Sequence, residues 1–214
     1  MADKSIIKAA YFASVKHREQ RRKDTEKTPY INHPLALANV LAVECGVDDV
    51  EVICGALLHD TIEDTDTTEE ELLEAFGEQI TRIVLEVTDD KRLEWEERKE
   101  AQVRNAPDLS DQAKLVKLAD KISNLRDIVA SPPSDWSLER KRKYFDWAAR
   151  VVDGVRGVHP ELEALFDETS EIYSRGIVGD RLKSLAPQDL EEKLQMIEEA
   201  EQIYLDQLLR DETQ

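Results

Sequence analysis

The segment HDTIEDT at residues 59–65 combines side chains that can hold a metal ion and activate water. It contains one imidazole and three carboxylates, from His59, Asp60, Glu63 and Asp64. A neutral ring nitrogen beside a carboxylate oxygen suits Mn, Fe, Co or Zn better than Ca or Mg. Glu63 and Asp64 would then be free to take a proton from water on the ion. The same residues also fit a helix that ends in an acidic, solvated turn, and the segment alone does not separate the two interpretations.

Helices must position this segment, because helical periodicity dominates the chain and alternating strand patterns are nearly absent. An apolar run at 52–58 directly precedes His59, so a buried helix over about 49–59 would deliver the motif. The other predicted helices cover about 4–21, 34–46, 68–75, 78–88, 94–105, 110–128, 137–156 and 160–173. We therefore predict an all-α fold, a helical bundle.

The composition fits one domain with an appendage. The chain has 214 residues, of which 41% are hydrophobic, and only seven glycines, too few for a strand-rich sandwich. Residues 1–173 are predicted to form the domain, and residues 174–214 an acidic C-terminal extension with a helix over about 188–209. Cys45 and Cys54 form no CxxC pair, so we expect both to be core residues and exclude a zinc ribbon.

The formal net charge of −18 argues against DNA or RNA as a partner, since phosphate backbones are bound mainly by clustered cations. Basic residues nevertheless gather at 18–23, 114–121 and 140–143. These groups would either bind a small polyanion or form solvated helix faces. No stretch approaches the roughly 20 apolar residues that span a bilayer. The N-terminus lacks the features of a secretory signal, so we expect a cytoplasmic protein without a membrane partner.

The predicted helix at 110–128 carries a polar side as well as an apolar one. The apolar side consists of Leu115, Leu118, Ile122 and Leu125. At roughly 100° per residue, Lys117, Asp120 and Asn124 gather on the opposite side. Taken alone, this pattern favours an ordinary amphipathic helix with a wet face; a functional side remains the alternative.

Several motifs taken together resemble one family. They are RRKD at 21–24, TPYINHP at 28–34, ALLHDTIEDT at 56–65, VTDDK at 87–91, KLVKLADK at 114–121, NLRD at 124–127 and YFDWA at 144–148. Over roughly residues 1–165 the chain resembles the HD hydrolase domain of RelA/SpoT-type alarmone enzymes, and especially the stand-alone small alarmone hydrolases that include the metazoan SpoT homologue. A bare His-Asp pair is weak support, whereas the longer run, correctly spaced from the other motifs, is specific.

The resemblance implies a metal site with Mn²⁺ as the preferred ion. Its ligands would be His33, His59, Asp60 and Asp120. Two nitrogens and two carboxylate oxygens leave about two positions of an octahedral ion open for water and substrate. Glu63 and Asp64 would orient and deprotonate the attacking water. His17 and His159 lack such surroundings, and we expect them to be surface or packing residues.

The implied reaction removes the 3′-pyrophosphate of guanosine tetra- or pentaphosphate, giving GDP or GTP and pyrophosphate. Arg22 and Lys23 would line the nucleotide site, one stacking on the base and the other near its edge or the phosphates. Asn124 would face the ribose. Arg140 and Tyr144, one helical turn apart, would contact phosphate or sugar. These cations would offset the negative charge that builds up as pyrophosphate departs.

Other functions are compatible with the same motifs. An HD phosphatase acting on another phosphorylated nucleotide, such as NADPH at its 2′-phosphate, would use the same metal core. A non-catalytic nucleotide sensor would bind without turnover, although every proposed ligand and water-orienting carboxylate is present. A chain of 214 residues leaves no room for a synthetase domain, so we expect hydrolysis without synthesis. The extension would pack on the domain, form the seam of a homodimer or cap the site.

Overall fold

The computed structural model describes residues 4–133 and 135–171. These ranges are helical and contain no β-strand, apart from an isolated antiparallel bridge between Arg21 and Pro29. The prediction of an all-α fold is confirmed. The helices are α1 (Lys4–Lys16), α2 (Asn32–Asn39), α3 (Val50–Leu58), α4 (Thr61–Asp64), α5 (Glu69–Phe76), α6 (Glu78–Val87), α7 (Trp95–Asn105), α8 (Asp111–Ala130), α9 (Leu138–Asp153) and α10 (160–171). A π-helical turn (Val40–Glu44) extends α2, and a 3₁₀ turn (Ala106–Asp108) extends α7.

Helix α3 lies at the centre and contacts α1, α2, α6 and α8. Every residue from 52 to 58 is buried, as the apolar run predicts. The Asp49 carboxylate caps the helix by accepting from the backbone N–H groups of Glu51 and Val52. Gly55 allows close packing against α6, because a Cβ atom there would lie 2.6 Å from Cγ2 of Ile83. The end of α3, which leads into His59, is therefore firmly held.

Helix α1 is shorter than predicted, and it packs on the core through two alanines. It ends at Lys16, where the sequence suggests about residue 21. Its buried residues are Ala9 and Ala13, whereas Ile7 and Tyr11 are 63% and 71% exposed. Small side chains let the α1 backbone approach α3 closely, and Ile6 and Phe12 pack against the same core, so Ile7 and Tyr11 lie on the outer side.

Helix α8 does not have the wet face of an ordinary amphipathic helix. Lys117 and Lys121 are buried together with Leu118 and Ile122. The Lys117 Nζ donates to the backbone oxygen of Val87 at 3.0 Å, at the C-terminal end of α6. Burial lowers the pKa of Lys117. The simple amphipathic interpretation was wrong because α8 crosses the interior, where its polar side meets other polar groups.

Other sequence expectations have mixed outcomes. Cys45 and Cys54 are buried free thiols, as predicted. His17 is buried, accepts or donates a hydrogen bond with Gln20 and stacks on Tyr30, consistent with a packing role. None of the helices in the described ranges has the length and hydropathy needed to span a bilayer. The predicted extension at 174–214, with its helix at 188–209, lies outside the described residues, and the predicted domain boundary remains a prediction.

Candidate metal and nucleotide site

The end of α3 and the first turn of α2 bring three candidate metal ligands together. One donor atom from each of His33, His59 and Asp60 lies within 4.8 Å of the other two. The Nε2 atom of His59 is 2.9 Å from Oδ2 of Asp60, and Nε2 of His33 is 3.9 Å from the same oxygen. Both imidazoles are buried. The resulting donor set has the mixed nitrogen and oxygen character that transition metals favour.

Asp120, the fourth predicted ligand, lies beside this group on α8. Its Oδ1 atom is 3.3 Å from Nε2 of His33, but Asp120 is not part of the three-residue group. Asn124 donates to Oδ1 at 2.6 Å, and Lys121 donates to Oδ2 at 3.0 Å. The structure therefore brings Asp120 into contact with the cluster while neighbouring donors hold both of its oxygens. Its role as a ligand remains a prediction.

The hydrogen bonding of His59 leaves one nitrogen available to an ion. Nδ1 makes a 2.8 Å hydrogen bond to the backbone oxygen of Ala56. This bond orients the ring so that Nε2 points toward Asp60. Nε2 is buried, and within the described residues its close neighbour is Oδ2 of Asp60 at 2.9 Å, with no other hydrogen-bond partner. A buried, unpartnered nitrogen beside a carboxylate fits a metal ligand.

Charge is distributed unequally between the two imidazoles. Burial disfavours a charge on His59, but the carboxylates of Asp60 and Asp120 outweigh the effect of burial and raise the pKa of His59 to about 9. At His33, burial dominates and lowers the pKa. Burial would raise the pKa of Asp60, but His59 and His33 hold it below its usual range. An ion would thus find His33 neutral and would displace a proton from His59.

The two candidate water-activating carboxylates differ in their surroundings. Burial, followed by the carboxylates of Asp89 and Asp60, raises the pKa of Glu63 to about 7. A carboxylate with this pKa is suited to accept a proton near neutral pH. Asp64 instead accepts from Nζ of Lys91 at 2.7 Å and from Nε2 of Gln20 at 2.9 Å. Glu63 is the better candidate base, and Asp64 is the more tightly held of the two.

Two predicted nucleotide contacts lie near the metal group, while a third does not reach it. Arg22 is largely buried, donates to Oδ1 of Asn124 at 3.4 Å and pairs with Asp127. Its guanidinium also lies 5.7 Å from the centre of the Tyr30 ring. Asn124 therefore links Arg22 to Asp120. Lys23 is exposed, and no contact joins it to the cluster within the described residues.

Arg140 and Tyr144 line a cavity of about 560 Å³ between α7 and α9. Its other lining residues are Trp95, Lys99, Trp136, Ser137, Glu139 and Lys143. The guanidinium of Arg140 lies 4.7 Å from the centre of the Trp136 ring. Burial raises the pKa of Tyr144, and the carboxylate of Asp120 adds to the shift. Aromatic faces and cations together suit a nucleotide ligand.

A family model described as HD domain matches residues 9–145. The chain belongs to the HD-domain family. Its His-Asp pair is His59 and Asp60, and the HD fold implies a divalent metal ion, which the donor set at His33, His59 and Asp60 fits.

Named relatives show which HD-domain proteins this chain is similar to. It is 54% identical over 162 residues to the Xenopus tropicalis guanosine-3′,5′-bis(diphosphate) 3′-pyrophosphohydrolase MESH1, covering 76% of this chain and 90% of the relative. The human protein of the same name is 55% identical over 158 residues, covering 74% and 88%. A solved structure of a metazoan orthologue of SpoT, described as hydrolysing ppGpp and acting in starvation responses, matches with a TM-score of 0.78 and 44% identity, covering 83% of this chain and 98% of that one. The predicted resemblance to small alarmone hydrolases is confirmed.

Several residues of the HD site were not identified from the sequence. The Tyr30 hydroxyl donates to Oδ2 of Asp60, and the TPYINHP motif that contains Tyr30 was the available signal. Lys121 was noticed only as part of a basic group, although its ammonium holds Asp120. Asp89 lies in the VTDDK motif at 87–91 but had no assigned role, and Gln102, which is distant in sequence from the ligands, offered no pattern of its own.

Proposed function

We propose that this HD-domain protein hydrolyses guanosine-3′,5′-bis(diphosphate), and its pentaphosphate counterpart, at the 3′-pyrophosphate. The products are GDP or GTP and pyrophosphate. The observation that carries the proposal is the group of His33, His59 and Asp60, with both imidazoles buried, next to Glu63, whose pKa is about 7. Relatives that bear the name of this activity are more than half identical over about three quarters of the chain.

The ion and the side chains would have different roles in the reaction. A divalent ion held by His33, His59 and Asp60, with Asp120 as a fourth ligand, would polarise the phosphate oxygens and acidify a water molecule. Glu63 takes the proton from the attacking water. The water oxygen adds to the phosphorus attached to the ribose 3′ oxygen, and the bond between that phosphorus and the 3′ oxygen breaks. The 3′ oxygen leaves as a hydroxyl by taking up the proton that Glu63 received from the water. Asp64, fixed by Lys91, orients the water.

The substrate would lie between the metal group and the cavity of α7 and α9. Arg22 offers a planar cation for the base, with Lys23 near its edge, and Asn124 faces the ribose. Arg140 and Tyr144 contact the phosphate or sugar at the other end. These local positive charges are needed because the net charge of −18 repels a polyanion at long range.

Manganese is the ion that we propose for the site. Two imidazole nitrogens exclude the all-oxygen environments that Ca²⁺ and Mg²⁺ prefer, and no cysteine joins the three-residue group. A mixed set of imidazoles and carboxylates suits Mn²⁺, and the same donor set also accommodates Fe, Co or Zn.

The test is turnover of guanosine tetraphosphate by metal-stripped protein with and without added Mn²⁺, with the nucleotides resolved by anion exchange. We expect GDP and an equal amount of pyrophosphate only when metal is present. Binding without turnover in Mn²⁺ would favour the sensor interpretation and contradict the proposal.

A phosphatase acting on NADPH is the second candidate. The cavity carries Trp95, Trp136 and Tyr144, more aromatic surface than one base requires, and a dinucleotide would use a second platform. Release of orthophosphate from NADPH, with guanosine tetraphosphate as the competing substrate, tests it. A higher kcat/KM for NADPH would reverse the order of the two functions.

A further inference from the structure

Helix α7 is attached to the domain without burying any of its residues. Its side chains nevertheless make hydrogen bonds to the domain, and those of one residue reach the HD site. The Gln102 Nε2 donates to Oδ2 of Asp89 at 2.6 Å, and the Gln102 Oε1 accepts from Nζ of Lys121 at 3.0 Å. A single amide thus joins two residues that support different parts of the site.

The first of these residues, Asp89, supports the candidate base. Asp89 follows α6, and its backbone N–H donates to Oε2 of Glu63 at 3.2 Å. The place of the Glu63 carboxylate consequently depends on the path of the chain at 88–89. Lys117 holds the end of α6 through the Val87 carbonyl, and Gln102 holds the side chain of Asp89. Without Gln102, the segment at 87–89 that supports Glu63 would keep only one of these two hydrogen bonds, the one from Lys117 to Val87.

The second residue, Lys121, supports a candidate ligand. Its side chain is 3% exposed, and an ammonium has three N–H donors to satisfy. The partners in the structure are Oε1 of Gln102, Oδ2 of Asp120 at 3.0 Å, and the Trp147 ring, whose centre is 4.3 Å away. Removing the Gln102 acceptor leaves one N–H of the buried ammonium unpaired. Because an unpaired buried donor is costly, we expect the ammonium to shift away from Asp120.

We infer that Gln102 is a positioning residue, which keeps Glu63 and Asp120 correctly placed relative to each other through Asp89 and Lys121. The chemistry of the bridge calls for a neutral amide, because it must donate to a carboxylate on one side and accept from an ammonium on the other. A carboxylate at position 102 would be repelled by Asp89, and a cation there would be repelled by Lys121. The inference rests on the proposed hydrolase function, since it assigns Glu63 and Asp120 their roles.

The first test is Gln102→Met, which keeps the length of the side chain and removes both hydrogen bonds. We expect kcat for guanosine tetraphosphate to fall about 10-fold and Mn²⁺ to bind several-fold more weakly by calorimetry, with KM nearly unchanged. The matched control is Glu100→Gln on the same helix, which breaks an exposed ion pair with Arg150 at 2.7 Å. This control should leave kcat and Mn²⁺ affinity at the wild-type values, even where both variants lower the melting temperature.

A charge swap separates positioning from simple packing. Gln102→Glu alone places two carboxylates against each other, and we expect it to be at least as impaired as Gln102→Met. In the double variant D89N/Q102E, the amide introduced at position 89 donates to the carboxylate at position 102, and Lys121 keeps an acceptor. We expect this variant to recover kcat to within about 3-fold of wild type, because the two changes are coupled through one hydrogen bond.

Two results would overturn the inference: a kcat and Mn²⁺ affinity for Gln102→Met equal to those of the Glu100→Gln control, or a double variant no better than Q102E. Failure of the proposed function looks different. In that case the wild-type protein itself leaves guanosine tetraphosphate intact, while the comparison of Mn²⁺ affinities still reports whether Gln102 holds Asp120 through Lys121.

Discussion

The metal group and the cavity of α7 and α9 are built on opposite principles. His33, His59 and Asp60 come from helices that pack around the core, and both imidazoles are buried. The cavity lies between α9 and a helix with no buried residue, and Trp95 at its rim is 54% exposed. Rigid packing suits groups that must hold an ion at fixed distances, while a peripheral cavity can change its shape and charge without disturbing them. The difference suggests that chemistry is set by the core and substrate choice by the periphery.

The strongest way to break this contrast is to remove one ligand from the core. For Asp60→Asn we expect loss of bound Mn²⁺ and a fall in kcat of about 10⁴-fold or more, because the anion shared by His59 and Tyr30 disappears. Metal content by mass spectrometry and turnover check this. Asp66→Asn, which alters an exposed ion pair with Lys16, is the control and should keep both. A metal-loaded, active Asp60→Asn protein would disprove the ligand assignment.

The candidate base distinguishes binding from chemistry within the core. For Glu63→Gln we expect kcat to fall about 10³-fold with little change in KM or Mn²⁺ affinity, since the amide keeps the hydrogen bond from Asp89 but cannot take a proton. Because Glu63 must be ionised to act and its pKa is about 7, wild-type kcat should rise as the pH increases through that value. The rate of the variant should lack this rise. An unchanged kcat for Glu63→Gln would mean that another group acts as the base.

Protonation of His59 gives the metal group a pH dependence of its own. An ion needs a neutral imidazole, and the metal-free ring has a pKa of about 9. Binding should therefore release close to one proton at pH 7, and Mn²⁺ affinity should rise about 50-fold between pH 7 and 9 and level off above pH 9 at about 100 times its pH 7 value. Calorimetry in buffers of different ionisation enthalpy measures the released proton. An affinity that does not vary over this range would mean that His59 is already neutral.

The cavity should respond more mildly and in a different kinetic constant. For Arg140→Met we expect KM for guanosine tetraphosphate to rise about 10-fold while kcat falls less than 3-fold, because a charge-assisted contact to substrate is lost away from the reacting bond. Arg142→Met, an exposed neighbour that does not line the cavity, removes the same charge and serves as the control. If both variants raise KM equally, the effect comes from net charge and the cavity is not the contact surface.

Sequence patterns predicted the parts of the site that lie close together along the chain. The run of buried residues at 52–58 and the polar cluster after it gave both α3 and the His59-Asp60 pair. Such patterns did not predict where α1 ends or that Tyr11 is exposed, because both depend on how closely Ala9 and Ala13 approach α3. Periodicity records which residues share a side of a helix, but the packing decides which side is buried.

The sequence by itself determined an all-α HD domain with imidazole and carboxylate donors at spacings that suit a divalent ion. Only the tertiary structure decided how those donors are charged and supported. The pKa of Glu63 rises because Asp89 and Asp60 come near it in a buried place, and Lys117 and Lys121 are polar groups of the interior because α8 crosses it. Gln102 joins Asp89 to Lys121 across three separate segments. Such contacts between distant segments arise from packing, which local propensity does not encode.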